Sequence, residues 1–100
     1  MGRMQRNKGN RVEREIVNYL KENGIPAKRV PLSGAAEGFK GDIIIDGSLK
    51  AEVKARKDGF KQIYDWLEGN DYLFIKANRK PVLVVMTIED FIKKMKEGKR

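Results

Sequence analysis

Gly41-Asp42-Ile43-Ile44-Ile45-Asp46-Gly47-Ser48-Leu49-Lys50-Ala51-Glu52-Val53-Lys54 sets two apolar-rich runs on either side of Asp46-Gly47. Asp-Gly between strand-like runs is the strongest short-range hairpin signal, because its residues tolerate the positive φ that tight turns require. The spacing therefore predicts a β-hairpin. In its second arm Leu49, Ala51 and Val53 alternate with Lys50, Glu52 and Lys54. Successive strand side chains point to opposite faces, so Glu52 and Lys54 are expected as neighbours on one surface. Asp42 opens the first arm, and a turn at Asp46-Gly47 folds it back beside Glu52. Two carboxylates and a lysine are expected to converge there.

Such a convergence has a chemical use. Hard divalent ions such as magnesium take oxygen ligands and retain several waters, so one or two carboxylates plus a substrate phosphate hold one. The ion polarises a phosphate and acidifies a bound water, while a lysine ammonium orients that water or balances developing negative charge. The same Lys-x-Glu-x-Lys pattern also fits an ordinary solvated face, and the spacing alone leaves both open.

Working outward, the whole chain has 100 residues with 40% apolar content, which fits one small domain spanning residues 1–100 with a modest core that oligomerisation would supplement. It contains no cysteine and no histidine. Disulfides, thiolate zinc sites and hydrolase triads built on histidine are thereby excluded. Twenty-two Lys and Arg against 14 Asp and Glu give a formal net charge of +8, which favours a polyanionic partner, with nucleic acid first. No apolar run approaches the roughly 20 residues that span a bilayer, and no signal peptide opens the chain. A cytoplasmic protein with no membrane partner is expected, of cellular, viral or prophage origin.

Upstream of the hairpin, Met1 to Lys8 is basic and is expected as an N-terminal arm or a helix lead-in. From about Gly9 to Asn23 an amphipathic helix is predicted, with Asn23-Gly24 as its stop. At 100° per residue Val12, Ile16, Val17, Tyr19 and Leu20 share one sector, and Glu13 falls inside it while Arg14 and Glu15 lie outside. A carboxylate inside an apolar stripe needs a partner, which marks Glu13 as functional or as paired with a nearby cation. Ala27 to Leu32 reads as a short strand that Pro26 and Pro31 make an edge or interrupt with bulges, carrying Arg29 toward phosphates. Ser33 to Gly41 is a small-residue loop beside the site.

Downstream, Arg56-Lys57-Asp58 leads to a helix over Gly59 to Glu68, capped by Asp58, with Phe60, Ile63, Tyr64 and Leu67 as its buried face and Trp66 off that stripe. Tyr72 to Lys76 and Pro81 to Met86 read as two largely buried strands joined by the basic turn Ala77-Asn78-Arg79-Lys80. Thr87-Ile88-Glu89-Asp90 resembles a capping box opening a last, basic-ended helix. The order αβββαββα predicts an α/β (α+β mixed) class with a central mixed sheet flanked by helices.

These residues carry a family pattern. Glu13 on the first helix, Asp42 at a strand start and Glu52-Val53-Lys54 on the next resemble the PD-(D/E)XK nuclease superfamily and its restriction-endonuclease-like core. Lys8-Gly9-Asn10-Arg11-Val12-Glu13-Arg14-Glu15, followed by Arg29 and Ser33, is similar to the opening of archaeal Holliday-junction resolvases and their phage relatives. The likeness covers roughly residues 8 to 57, with Gly41 in place of the motif's proline. It implies that Glu13, Asp42 and Glu52 surround a metal ion, magnesium with manganese as the alternative, that the Val53 carbonyl completes the shell, and that Lys54 positions or activates the attacking water. It matches Arg14, Arg29 and Ser33 to phosphate contact or active-site support; Lys8, Arg11, Lys40, Arg56 and Lys57 are added as DNA-binding candidates. It further implies a homodimer cutting symmetrically across a four-way junction.

The leading expectation is thus a magnesium-dependent, structure-selective endonuclease acting on branched DNA, with Holliday junctions first. One rival keeps the chemistry and changes the substrate to flaps, forks or other replication and repair intermediates. Another is a non-catalytic basic nucleic-acid-binding module whose carboxylates are structural.

Overall fold

The computed structural model describes residues 2–30 and 42–98, with residues 2–9 described by their backbone alone. The chain divides into two compact units, Met1–Ala55 and Arg56–Arg100.

The first unit opens with helix α1, Gly2–Glu22. Its start lies well before the amphipathic pattern because Arg3, Met4, Gln5, Arg6 and Lys8 are good helix formers without an apolar stripe. The basic segment expected as an arm is therefore helical from Gly2. Val17 and Leu20 are buried, Val12 and Ile16 are half-buried, and Tyr19 is exposed, narrowing the predicted stripe by one residue. The helix ends where Asn23-Gly24 predicts. Gly24 has φ 86°, the Gly24 amide donates to the Lys21 carbonyl and the Ile25 amide to the Leu20 carbonyl at 2.9 Å. That is a Schellman closure, and the buried Ile25 and Leu20 supply its apolar contact.

Three short strands follow: β1 (Ala27–Arg29), β2 (Ile43–Ile45) and β3 (Leu49–Ala51). They form one antiparallel sheet in chain order, with Arg29 opposite Ile43 and Ile43 opposite Ala51. β1 is an edge, as its flanking prolines predict. The hairpin turn takes Asp46 at φ 53° and Gly47 at φ 87°, the geometry for which Asp-Gly was singled out, in a three-residue loop between the paired Ile45 and Leu49. The Asp46 amide donates to the Pro26 carbonyl at 2.7 Å, tying the turn to the edge strand. Ile43, Ile44 and Ile45 are all buried. Strand β3 stops at Ala51, so Glu52-Val53-Lys54 lies just beyond it rather than within it, and Leu49 is exposed rather than inward.

The second unit holds α2 (Lys61–Leu67), β4 (Leu73–Ile75), β5 (Leu83–Val85) and α3 (Ile88–Glu97). The cap expected at Asp58 is not there: Phe60 stands at the start of α2 without a side-chain cap hydrogen bond, because Asp58 and Gly59, the latter at φ 105°, are used in the preceding bend. The expected buried face of α2 is also reduced. Ile63 and Leu67 are half-buried and Tyr64 is 71% exposed. α3 is capped as its sequence predicts, the Thr87 hydroxyl accepting from the Asp90 amide at 3.2 Å.

Element order and α+β class follow the sequence, but the five strands do not make one mixed sheet: β4 and β5 form a separate antiparallel pair. Nor are these two strands largely buried, since Phe74 is 67% and Leu83 57% exposed. An apolar run specifies a surface fit to be covered, whereas burial depends on a second layer that local sequence does not encode. Among the described residues no helix is long and apolar enough to cross a membrane.

Candidate active site

Asp42 sits one residue before β2 and is fixed from three directions. Its amide donates to the Ala51 carbonyl at 2.8 Å and its carbonyl accepts from the Val30 amide at 2.9 Å. Its carboxylate Oδ2 accepts from the Val53 amide at 2.7 Å. The last bond places the Asp42 carboxylate against the main chain between Glu52 and Lys54. Glu52 and Lys54 themselves pair, Nζ to Oε2, at 3.1 Å, with both side chains more than half exposed. A pair so open to water contributes at most about 1 kcal/mol. It is therefore free to exchange partners when a phosphate or cation arrives.

Glu13, the carboxylate inside the apolar stripe of α1, has a cationic partner. Its side chain is 13% exposed and its Oε1 accepts from Arg29 Nε at 3.1 Å. Arg29 in turn reaches Asn10 Oδ1 through Nη2 at 3.0 Å. The planar guanidinium is thus gripped along one edge by two α1 residues, and among the described residues no further partner of its other donors is found. Asn10 joins this network without having been marked by the charge or apolar pattern of the sequence. Its place three residues before Glu13, on the same face of α1, was the available signal.

The remaining candidates divide by position. Arg11 is exposed and 3.9 Å from Glu15, and Arg14 is exposed on α1. Arg56 and Lys57 are exposed and follow Lys54 closely in the chain. Lys8 lies in the first half of α1, described there by its backbone. Ser33 and Lys40, with the loop Ser33 to Gly41, lie outside the described residues.

Whether these groups suit a metal ion turns on donor chemistry and number. The chain offers carboxylate and carbonyl oxygens and, lacking cysteine and histidine, neither thiolate nor imidazole, which suits magnesium or manganese. Among the described residues no three acidic or other ligating side chains are gathered to hold an ion by themselves. The arrangement fits a magnesium ion kept by one or two carboxylates with most of its waters retained. The Val53 amide ties Asp42 to the residue that follows Glu52, so these two carboxylates would be the ones to hold it.

The family model described as archaeal Holliday junction resolvase (Hjc) matches residues 4–99. No curated protein and no solved structure gives a match in the same kind of comparison. The matched span extends well past the residue 8–57 segment that carries the motif likeness, and it takes in Glu13, Arg29, Asp42, Glu52 and Lys54 alike; the chain belongs to the archaeal Holliday junction resolvase family.

Proposed function

We propose that this chain hydrolyses phosphodiesters at four-way DNA junctions in a divalent-metal-dependent, structure-selective reaction. Membership of the family makes it a Holliday-junction nuclease; the metal, the selectivity and the residue roles are our reading. The observation that supports it most is the 2.7 Å hydrogen bond from the Val53 amide to Asp42 Oδ2, which sets a fixed carboxylate beside Glu52 and Lys54.

In this reading Asp42, Glu52 and the Val53 carbonyl would hold magnesium, or manganese in its place. The ion supplies Lewis acidity toward the scissile phosphate and lowers the pKa of a bound water. Lys54, released from Glu52, orients the attacking water and balances charge on the phosphate. Arg29 binds a phosphate oxygen with the donors that Glu13 and Asn10 leave open. Glu13 is the counter-charge to Arg29 and would serve as a third carboxylate toward the metal. Arg11, Arg14, Arg56 and Lys57 add backbone contacts, which position DNA without reading bases and so favour recognition of shape. Two symmetric cuts require two sites, and the working form is proposed as a homodimer.

Cleavage of a panel containing a four-way junction, a flap, a fork and a linear duplex tests the proposal. Magnesium-dependent cutting of the junction well ahead of the duplex is expected, with Asp42→Asn and Glu52→Gln binding the junction without cutting it. Equal cutting of linear duplex overturns the selectivity, and cutting in the presence of a chelator overturns the metal.

A further inference from the structure

The turn Ala77-Asn78-Arg79-Lys80 between β4 and β5 takes no part in the site described above, and it carries a backbone outlier. The Lys80 amide donates to the Ala77 carbonyl at 3.2 Å, closing a four-residue turn whose third residue, Arg79, has φ 63°. Glycine or asparagine is the low-cost choice at such a place, since a longer side chain is disfavoured in the left-handed region. The turn alone does not call for arginine, and a strained residue of this kind points to a use for its side chain.

Its surroundings indicate the use. Lys76 and Lys80 flank Arg79, and no acidic residue occurs from Tyr72 to Ile88. All three cations are exposed. The ion pairs found among the described residues all lie elsewhere, and Lys76 Nζ donates only to the neighbouring Ala77 carbonyl, at 3.2 Å. Between the two lysines the surface is concave, with Ile75, Ala77, Pro81 and Leu83 as its apolar lining. An apolar floor between cationic rims complements a chain that alternates sugar rings with phosphates.

We propose that the β4–β5 hairpin is a second DNA contact, distinct from Asp42, Glu52 and Lys54 and the arginines around them, which grips the sugar–phosphate backbone of a junction arm. This rests on the reading of the chain as a junction nuclease. Lys76, Arg79 and Lys80 neutralise phosphates, and the hollow between them receives the sugar faces. The contact is independent of base sequence and sensitive to salt.

The test measures binding of the full chain to a four-way junction oligonucleotide without divalent metal, over a series of salt concentrations, alongside thermal melting. Arg79→Gly relieves the left-handed strain, so its melting temperature is expected to hold or rise while junction affinity falls. Adding Lys76→Ala and Lys80→Ala lowers affinity by roughly tenfold or more and makes the slope of log K against log salt shallower by about 2 to 3, since each phosphate contact contributes about 0.9. Stability and binding moving in opposite directions in Arg79→Gly is a result that a merely structural turn does not give. Unchanged affinity and slope in folded variants, with wild-type binding intact, overturn the hairpin contact alone. A wild-type chain that fails to bind the junction overturns the functional reading and this extension together.

Discussion

The two units of this chain use similar parts to different ends. In Met1–Ala55 a helix and three strands bury Val17, Leu20, Ile25, Ala27, Val30 and the three isoleucines of β2. In Arg56–Arg100 two helices and two strands bury Ile92 and leave Tyr64, Trp66, Phe74, Val82, Leu83 and Val84 exposed. The carboxylates proposed for catalysis sit on the well-packed frame. The basic turn proposed for DNA contact sits on the lightly packed one. Chemistry that depends on preorganised charge requires a rigid support, whereas phosphate contacts tolerate a softer one.

The contrast is broken first by core truncation. Ile43→Ala is expected to cost about 2–5 kcal/mol in denaturant unfolding, and Phe74→Ala to change stability by no more than about 0.5 kcal/mol. Equal costs would mean that the second unit is packed as tightly as the first. Next, Asp42→Asn should slow junction cleavage by about 100- to 1,000-fold in single-turnover kinetics while leaving binding intact. Asparagine keeps an oxygen to accept from the Val53 amide, so a loss in this variant reports charge rather than scaffold. Smaller in effect is Asn10→Ala, which removes one of two grips on Arg29. It should weaken junction binding by about 1 kcal/mol in wild type and by close to nothing in an Arg29→Ala background, the non-additivity expected of residues in one network. Smallest is Thr87→Ala, which should lower stability by about 1 kcal/mol or less through the lost cap of α3, with cleavage unaffected.

Legibility in the sequence followed the range of the interaction. The Asp46-Gly47 turn, the Asn23-Gly24 stop and the Thr87 cap were readable because each is decided by residues within a few positions of one another. Glu13 was readable as a carboxylate needing a partner, since helical periodicity alone puts it in an apolar stripe. That the partner is Arg29, with Asn10 beside it, depends on how α1 meets β1 and is not local. The Asp58 cap failed for a related reason: the bend through Gly59 displaced the helix start past it. The exposure of β4 and β5 was the largest departure, because Tyr72 to Lys76 and Pro81 to Met86 are apolar enough for burial on both faces and nothing in those segments states whether a covering layer exists.

Strand order in the first sheet is the order of synthesis. β1 pairs with β2 and β2 with β3, each with its chain neighbour and all antiparallel. Folding such an arrangement pairs only strands that are neighbours in the chain, across 13 residues between β1 and β2 and three between β2 and β3, and because closure entropy grows only slowly with loop length the barrier stays modest. The segment bearing Asp42, Glu52 and Lys54 can consequently assemble while the rest of the polypeptide is still emerging from the ribosome.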